Sequence, residues 1–201
     1  MKTEKDIIPE NTKGAQTDTS YTQEYETVEE AVLAYQESKQ KLLNITQWHS
    51  YAGTGTAEFQ LTDKNGQEVN RLAEEGDHFQ INIPGPGSKA GDGYDWVQIE
   101  SITSETTNNT ELTAIKVRPA TSPQNSKQET AHFFNNEASS TFLVKREGNT
   151  VKAEVHGRNE QANTEAESLI DKTRNIIVAV GAMLGLSDVQ WKSLVKGLIK
   201  S

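Results

Sequence analysis

The densest run of reactive side chains in this chain is His156-Gly157-Arg158-Asn159-Glu160. It sets an imidazole, a bidentate anion donor, an amide and a carboxylate within five residues. Acid–base catalysis there would need His156 within hydrogen-bonding reach of a substrate and oriented by a carboxylate such as Glu160 or Asp95. A small hydrolase or isomerase using His156, Arg158 and Glu160 is the chemistry this run could support. Its plainer reading is a polar corner between a strand and a helix, with Arg158 salt-bridged to a carboxylate. We prefer that reading, so the expectation leans away from an enzyme and assigns no catalytic residue.

The second unusual stretch is Pro84 to Asp95, PGPGSKAGDGYD, with four glycines and two prolines in twelve residues. Gly85-Pro86-Gly87-Ser88-Lys89-Ala90 satisfies the spacing of a dinucleotide fingerprint. That fingerprint needs a following helix whose N-terminus faces the pyrophosphate, whereas Gly91, Gly93 and the strand-like YDWVQIE come next. No cofactor is therefore expected. What remains is a surface loop, or a binding loop using Lys89 and backbone amides. Tyr94, Asp95 and Trp96 close it, either as a platform for a ligand or partner or as side chains that pack the loop onto a sheet. Arg118, at the end of another strand, could hold an anion. His132-Phe133-Phe134 reads as an apolar anchor with its histidine at the edge.

Other chemistries lack their residues. The chain has no cysteine, which removes disulfide scaffolds, thiolate metal sites and cysteine nucleophiles. Its four histidines, His49, His78, His132 and His156, show no H-x-H or H-E-x-x-H spacing, and no metal is expected. There is no G-x-S-x-G elbow for a serine nucleophile. A net charge of −9 has the wrong sign for a general nucleic-acid binder. No run of apolar residues is long enough to span a bilayer, and no apolar secretory region opens the sequence, so a soluble, cytoplasmic protein is expected. Lys192, Lys196 and Lys200 make a basic stripe on the last helix, read as solubilising.

The elements that must position these residues follow from periodicity. Thr27 with Glu30 is a capping box opening a helix of about 16 residues, with Val28, Val32, Tyr35 and Leu42 on one stripe. Thr164 with Glu167 opens a second helix to about Leu184, whose latter half, IIVAVGAML, is apolar nearly all round and needs covering. Ser187 with Gln190 opens a third, with Trp191, Leu194, Val195 and Leu198 inward. Between them the period is two. Strands are expected over 57–62, around Val69 after a DKNG turn, over 79–83, 96–102, 112–117 and 142–145, and over 151–155 beyond the Glu147-Gly148-Asn149 hairpin.

Uncharged polar residues are abundant: 21 Thr, 14 Ser, 14 Asn and 13 Gln, a bias suited to short strands and polar loops. Residues 1–30 hold three Lys and eight Asp/Glu, and 1–20 reads as a flexible acidic tail, leaving 21–201 as one domain. Short turns imply antiparallel pairing. The fold class is therefore α+β: a curved antiparallel sheet or open barrel of about seven strands, one N-terminal helix and two C-terminal helices, the long one on the sheet. This element order resembles helix-grip lipid and hormone carriers, in which a long C-terminal helix lies across a curled sheet, although no strand is read before the first helix. An SH3-like barrel with helical extensions fits the order as well. The leading functional reading is a non-enzymatic module presenting the 84–96 loop and its aromatics to a protein partner. The alternative is a carrier of a small apolar ligand between the sheet and the 164–184 helix, lined by residues such as Phe59, Ile81 and Phe142.

Overall fold

The computed structural model describes residues 3–53, 57–82, 91–124, 129–163 and 188–200. The expected helix over 164–184, with both residues of its capping box, lies outside them, as do Ser187, Lys89 and most of the glycine-rich loop. What is described is a seven-stranded, entirely antiparallel sheet of order β1-β7-β6-β5-β4-β3-β2. The strands are β1 Ala15–Glu24, β2 Glu58–Thr62, β3 His78–Asn82, β4 Asp95–Thr106, β5 Thr110–Pro119, β6 Ser139–Glu147 and β7 Thr150–Glu160. The sheet does not close: β1 and β2 stand at its two edges. An α+β fold with an open antiparallel sheet is thus established, and a closed SH3-like barrel is set aside.

The strand count agrees with expectation, but one strand has moved. Val69 is not in a strand. The DKNG turn is real, with Asp63 accepting from the Asn65 and Gln67 amides at 2.8 and 2.9 Å and Gly66 at φ 81°, yet only the Thr62–Glu68 bridge follows it. The seventh strand lies in the stretch read as a flexible tail. Ala15–Glu24 pairs with β7 from Ala15↔Glu160 to Glu24↔Thr150, which corrects that reading for these residues. Its composition looks disordered because an edge strand needs few apolar side chains; alternating Thr17, Thr19 and Tyr21 suffice when the partner strand supplies the rest. This strand precedes the first long helix, the element the helix-grip likeness lacked.

A short helix α1, Glu4–Ile7, puts Ile7 and Ile8 against Leu112, Ala114 and Leu143 on the sheet's outer face. Helix α2, Val28–Leu43, starts at the predicted box: the Thr27 hydroxyl accepts from the Glu30 amide at 3.1 Å, and the Glu30 carboxylate accepts from the Thr27 amide at 3.3 Å. It buries Ala31, Tyr35, Ser38, Leu42 and Leu43 on the inner face, so the stripe is rotated from the one expected and Val28 is exposed. Helix α3, Trp48–Ala52, and helix α4, residues 188–199, complete that layer. Leu194, Val195 and Leu198 are buried as their spacing required. Helix α4 crosses α3 at Gly197, where even a methyl group would run into the Tyr51 carbonyl. Trp48, Phe59, Phe79, Phe142 and Trp191 fill the middle of the inner layer, with neighbouring ring centroids 4.7 to 6.2 Å apart.

Candidate functional site

One end of the sheet is formed by the start of β4, the end of β5, the start of β6 and the end of β7. Almost every described residue singled out from the sequence lies at this end, but the two-residue period of the strands divides them between opposite faces.

On the outer face, Asp18 stands opposite His156 in the β1–β7 register. The His156 Nδ1 and Asp18 Oδ1 atoms are 2.5 Å apart, and Arg158 Nη2 donates to the same oxygen at 2.7 Å. The other Arg158 terminal nitrogen donates to the Thr17 and Gly157 carbonyls at 3.0 and 2.7 Å. Burial works against ionisation of Asp18, but hydrogen bonds from Gln16, His156 and Arg158 outweigh it and hold its pKa down at about 2. His156 is buried, and its Nε2 lies 3.8 Å from a Glu154 carboxylate oxygen. Arg158 therefore has its guanidinium occupied by a carboxylate and two carbonyls. Arg118 is likewise engaged, its Nε 2.5 Å from Glu100, which also meets Lys116 at 3.0 Å.

Trp96 is on this face too, and only 1% exposed. Gly91 packs so close to the indole that a Cβ there would collide with it, and the Trp96 backbone N–H donates to the Ala131 carbonyl at 2.7 Å. Trp96 thus anchors the loop's return to the sheet and is not available as a platform. Tyr94, 39% exposed, is the loop aromatic that solvent reaches.

On the inner face at the same end sit two carboxyl groups with no ion pair among the described residues. Asp95 follows the inward series Asp95, Val97, Ile99, and is buried. Burial pushes its pKa up to about 7 against the pull of one hydrogen bond from the Phe133 amide. Glu160 reaches this face through a bulge: β7 carries one residue more than β1 between Gly157 and Glu160, and Asn159 takes a positive φ of 55°. Its carboxylate lies over Gly157, filling the space of the missing side chain, beside the Thr17 hydroxyl that donates to it at 3.2 Å. Burial raises the Glu160 pKa; the Thr17 hydrogen bond and the Arg158 charge oppose that, and Asp18 adds to it. Its second oxygen is buried without a hydrogen-bond partner.

Residues 130–138 run between these two acids. Phe134 bridges Ala162, and the Asn163 side chain donates to the Thr130 and His132 carbonyls at 3.0 and 3.1 Å. His132 is stacked on Phe133 with ring centroids 4.4 Å apart, and its Nδ1 accepts from the Phe134 amide at 2.9 Å. Burial outweighs that hydrogen bond and drives its pKa down to about 3, so it is a neutral structural ring. No three His, Asp or Glu side chains converge as a metal site among the described residues. Nor is any helix among them long and apolar enough to cross a membrane.

Sequence reasoning reached Asp95 and Glu160 but missed Asp18, the partner of both His156 and Arg158. No local signal marks it, since it stands 138 residues from His156.

This open antiparallel sheet with its helical layer is a fold shared with solved structures. A hypothetical protein from Helicobacter pylori superposes with a TM-score of 0.50 at 12% identity, covering 91% of this chain and 87% of that one. At a TM-score of 0.35 and 7% identity stands norcoclaurine synthase from Thalictrum flavum, in complex with dopamine and hydroxybenzaldehyde, covering 93% and 90%. A major latex-like protein from Panax ginseng has a TM-score of 0.33 at 14% identity, covering 88% and 97%. No known family's sequence profile matches this chain, and no curated protein matches it. The likeness to the Helicobacter pylori protein is one of fold.

Proposed function

We propose that this chain is a non-enzymatic binding protein that holds a small, mainly apolar molecule against the inner face of the sheet, at the end where Asp95 and Glu160 lie. One observation carries the reading. Two carboxyl groups, Asp95 buried and Glu160 partly so, lie at this end of the inner face without a cation in contact among the described residues, although the buried Asp77, Glu111 and Glu154 are each paired with a lysine or arginine. A carboxyl that stays protonated near neutral pH both donates and accepts a hydrogen bond, so Asp95 suits a ligand carbonyl, hydroxyl or amine. Apolar contact would come from Ile81, directly across from Asp95, and Val97, two residues along β4. Phe59 and Phe142, two of the residues expected to line a cavity, pack against Trp48 in the ring cluster, which favours the far end for the ligand.

The rival readings lose support on particular residues. An acid–base role for His156 conflicts with its burial and its engagement by Asp18. A platform built on Trp96 conflicts with the burial of its ring.

The test is fluorescence titration with N-phenyl-1-naphthylamine, an apolar probe with one N–H donor, followed by native mass spectrometry of the purified protein. Saturable one-to-one binding is expected, weakened roughly tenfold in at least one of Asp95→Leu and Glu160→Leu, which remove the acceptor for the probe's N–H, the worth of one buried hydrogen bond. Non-saturable binding, or equal affinity in the folded variants, would overturn the reading.

A further inference from the structure

At the β2 edge, where the outward residues of β2 and β3 meet Thr46 and His49 of the helical layer, a separate cavity of about 280 Å³ is walled by hydrogen-bonding side chains apart from Phe59. Phe59, Leu61, Phe79 and Ile81 point inward, so the alternate residues of β2 and β3 point out. Gln60 stands directly opposite Gln80, and Glu58 opposite Asn82. Directly opposed residues on one face have Cβ atoms about 5 Å apart. The four side chains therefore form a two-by-two grid of amides and a carboxylate. Tyr94 borders it with a ring that solvent reaches, and Glu68 and His49 stand at the rim.

The grid is partly pre-set and partly unspent. The Asn82 amide donates to Glu58 at 3.1 Å, and the Gln60 amide donates to the Leu61 carbonyl at 3.0 Å. His49 is held at both ring nitrogens, by the Thr46 carbonyl at 3.0 Å and the Ser50 hydroxyl at 3.2 Å. The side chains of Gln80, Glu68 and Tyr94 make no hydrogen bond among the described residues.

From this we infer that the cavity binds a neutral, hydroxyl-rich ligand, a single sugar ring or a compact polyol. Three other classes fit worse. An anion would meet Glu58 and Glu68 in a chain of net charge −9. An apolar ligand would strip water from amides and carboxylates without replacing their hydrogen bonds. A cation uses acceptors alone, and would face the N–H groups of the Gln60, Gln80 and Asn82 amides with like polarity. A sugar hydroxyl donates and accepts at once, matching amides that do the same. The C–H face of its ring can lie on Tyr94, the exposed aromatic of the loop. The volume sets the size limit, since cavities for larger ligands begin near 300 Å³.

The experiment follows the amide signals of ¹⁵N-labelled full-length chain during titration with methyl α-D-glucopyranoside, N-acetyl-D-glucosamine, maltose and glycerol at millimolar concentrations. n-Butylamine serves as the cationic arm. Saturable shifts at the Gln60, Gln80 and Asn82 side-chain amides are expected with at least one single-ring saccharide or with glycerol, and a response to maltose alone would contradict the size limit. They should weaken at least fivefold in Gln80→Ala and in Tyr94→Ala and persist in Asp95→Asn, which separates this site from the inner-face one. Silence of those signals with every hydroxyl-bearing probe, or a saturable response to n-butylamine that the saccharides do not match, would overturn the inference.

Discussion

Glu111 and Asp95 lie on the same inner face of the same sheet, toward its opposite ends, and the fold treats them in opposite ways. Glu111 is near the β4–β5 turn. Its carboxylate accepts from Arg146 Nε at 2.7 Å and from the Gln36 amide at 3.0 Å, while Arg146 also donates to the Gly148 carbonyl at 2.7 Å. Alongside, the Tyr35 and Thr113 hydroxyls are 2.8 Å apart. Helix α2 thus delivers Gln36 to Glu111 and Tyr35 to Thr113. Asp95, equally buried, receives one backbone amide and no counter-charge among the described residues. An acid kept neutral by burial is the feature on which the proposed ligand site rests.

The contrast can be broken from either end. Arg146→Met should be the most damaging change, since it leaves Glu111 buried without its cation. A loss of about 3–5 kcal/mol in urea unfolding is expected, and a loss below 1 kcal/mol would mean the pair is not the stabilising feature described here.

Asp95→Asn should act in the opposite direction. Folded Asp95 keeps its proton to about pH 7, whereas the unfolded chain loses it near 3.8. Native protein therefore binds more protons across that interval, and its stability falls as pH rises from about 4 to 7. The amide removes this cost, so Asp95→Asn should be more stable than wild type by about 2–4 kcal/mol at pH 8 and level with it near pH 4. The same variant uncovers His132. That ring has a folded pKa of about 3 against 6.5 unfolded, so its contribution is present above pH 6.5 and is lost as pH falls toward 3. In wild type the two slopes oppose each other. In Asp95→Asn the stability should drop on acidification below pH 6.5, and a flat profile there would count against a neutral, buried His132.

Smaller effects sharpen the outer-face comparison. Asp18→Asn should cost about 1 kcal/mol at pH 7, because the carboxylate is nearly half exposed and water screens its pairing. In wild type that contribution is present above about pH 4 and fades as pH falls through 2. Thr27→Ala should cost about 1 kcal/mol at the α2 cap, with Thr27→Asp close to neutral; equal losses in both would argue that the side-chain oxygen is not the capping group.

Legibility in the sequence followed the range of the interaction that decides each feature. Thr27 and Glu30 cap α2 within one turn, and the spacing of Leu194, Val195 and Leu198 sets the buried side of α4, so both could be read locally. The β6–β7 hairpin was equally plain at Gly148, with its φ of 59°. The strands expected over 96–102 and 112–117 run further, β4 to Thr106 and β5 from Thr110, since cross-strand pairing outweighs polar composition. The candidate site was legible as residue types and hidden as geometry. Nothing near Glu160 announces the bulge that turns it inward, and nothing near His156 announces Asp18.

The position of β1 has a consequence for how this fold is reached. Its hydrogen-bonding partner is β7, so Thr19 and Val155 meet across 136 residues of chain, and Tyr21 is capped by the Lys200 ammonium 5.7 Å from its ring. A chain emerging from the ribosome amino end first must hold Ala15–Glu24 unpaired until β7 has been synthesised. Closure of that long loop carries an entropic cost before any contact rewards it. Docking of this first strand is therefore expected among the last steps of folding, with the six-stranded meander assembled ahead of it.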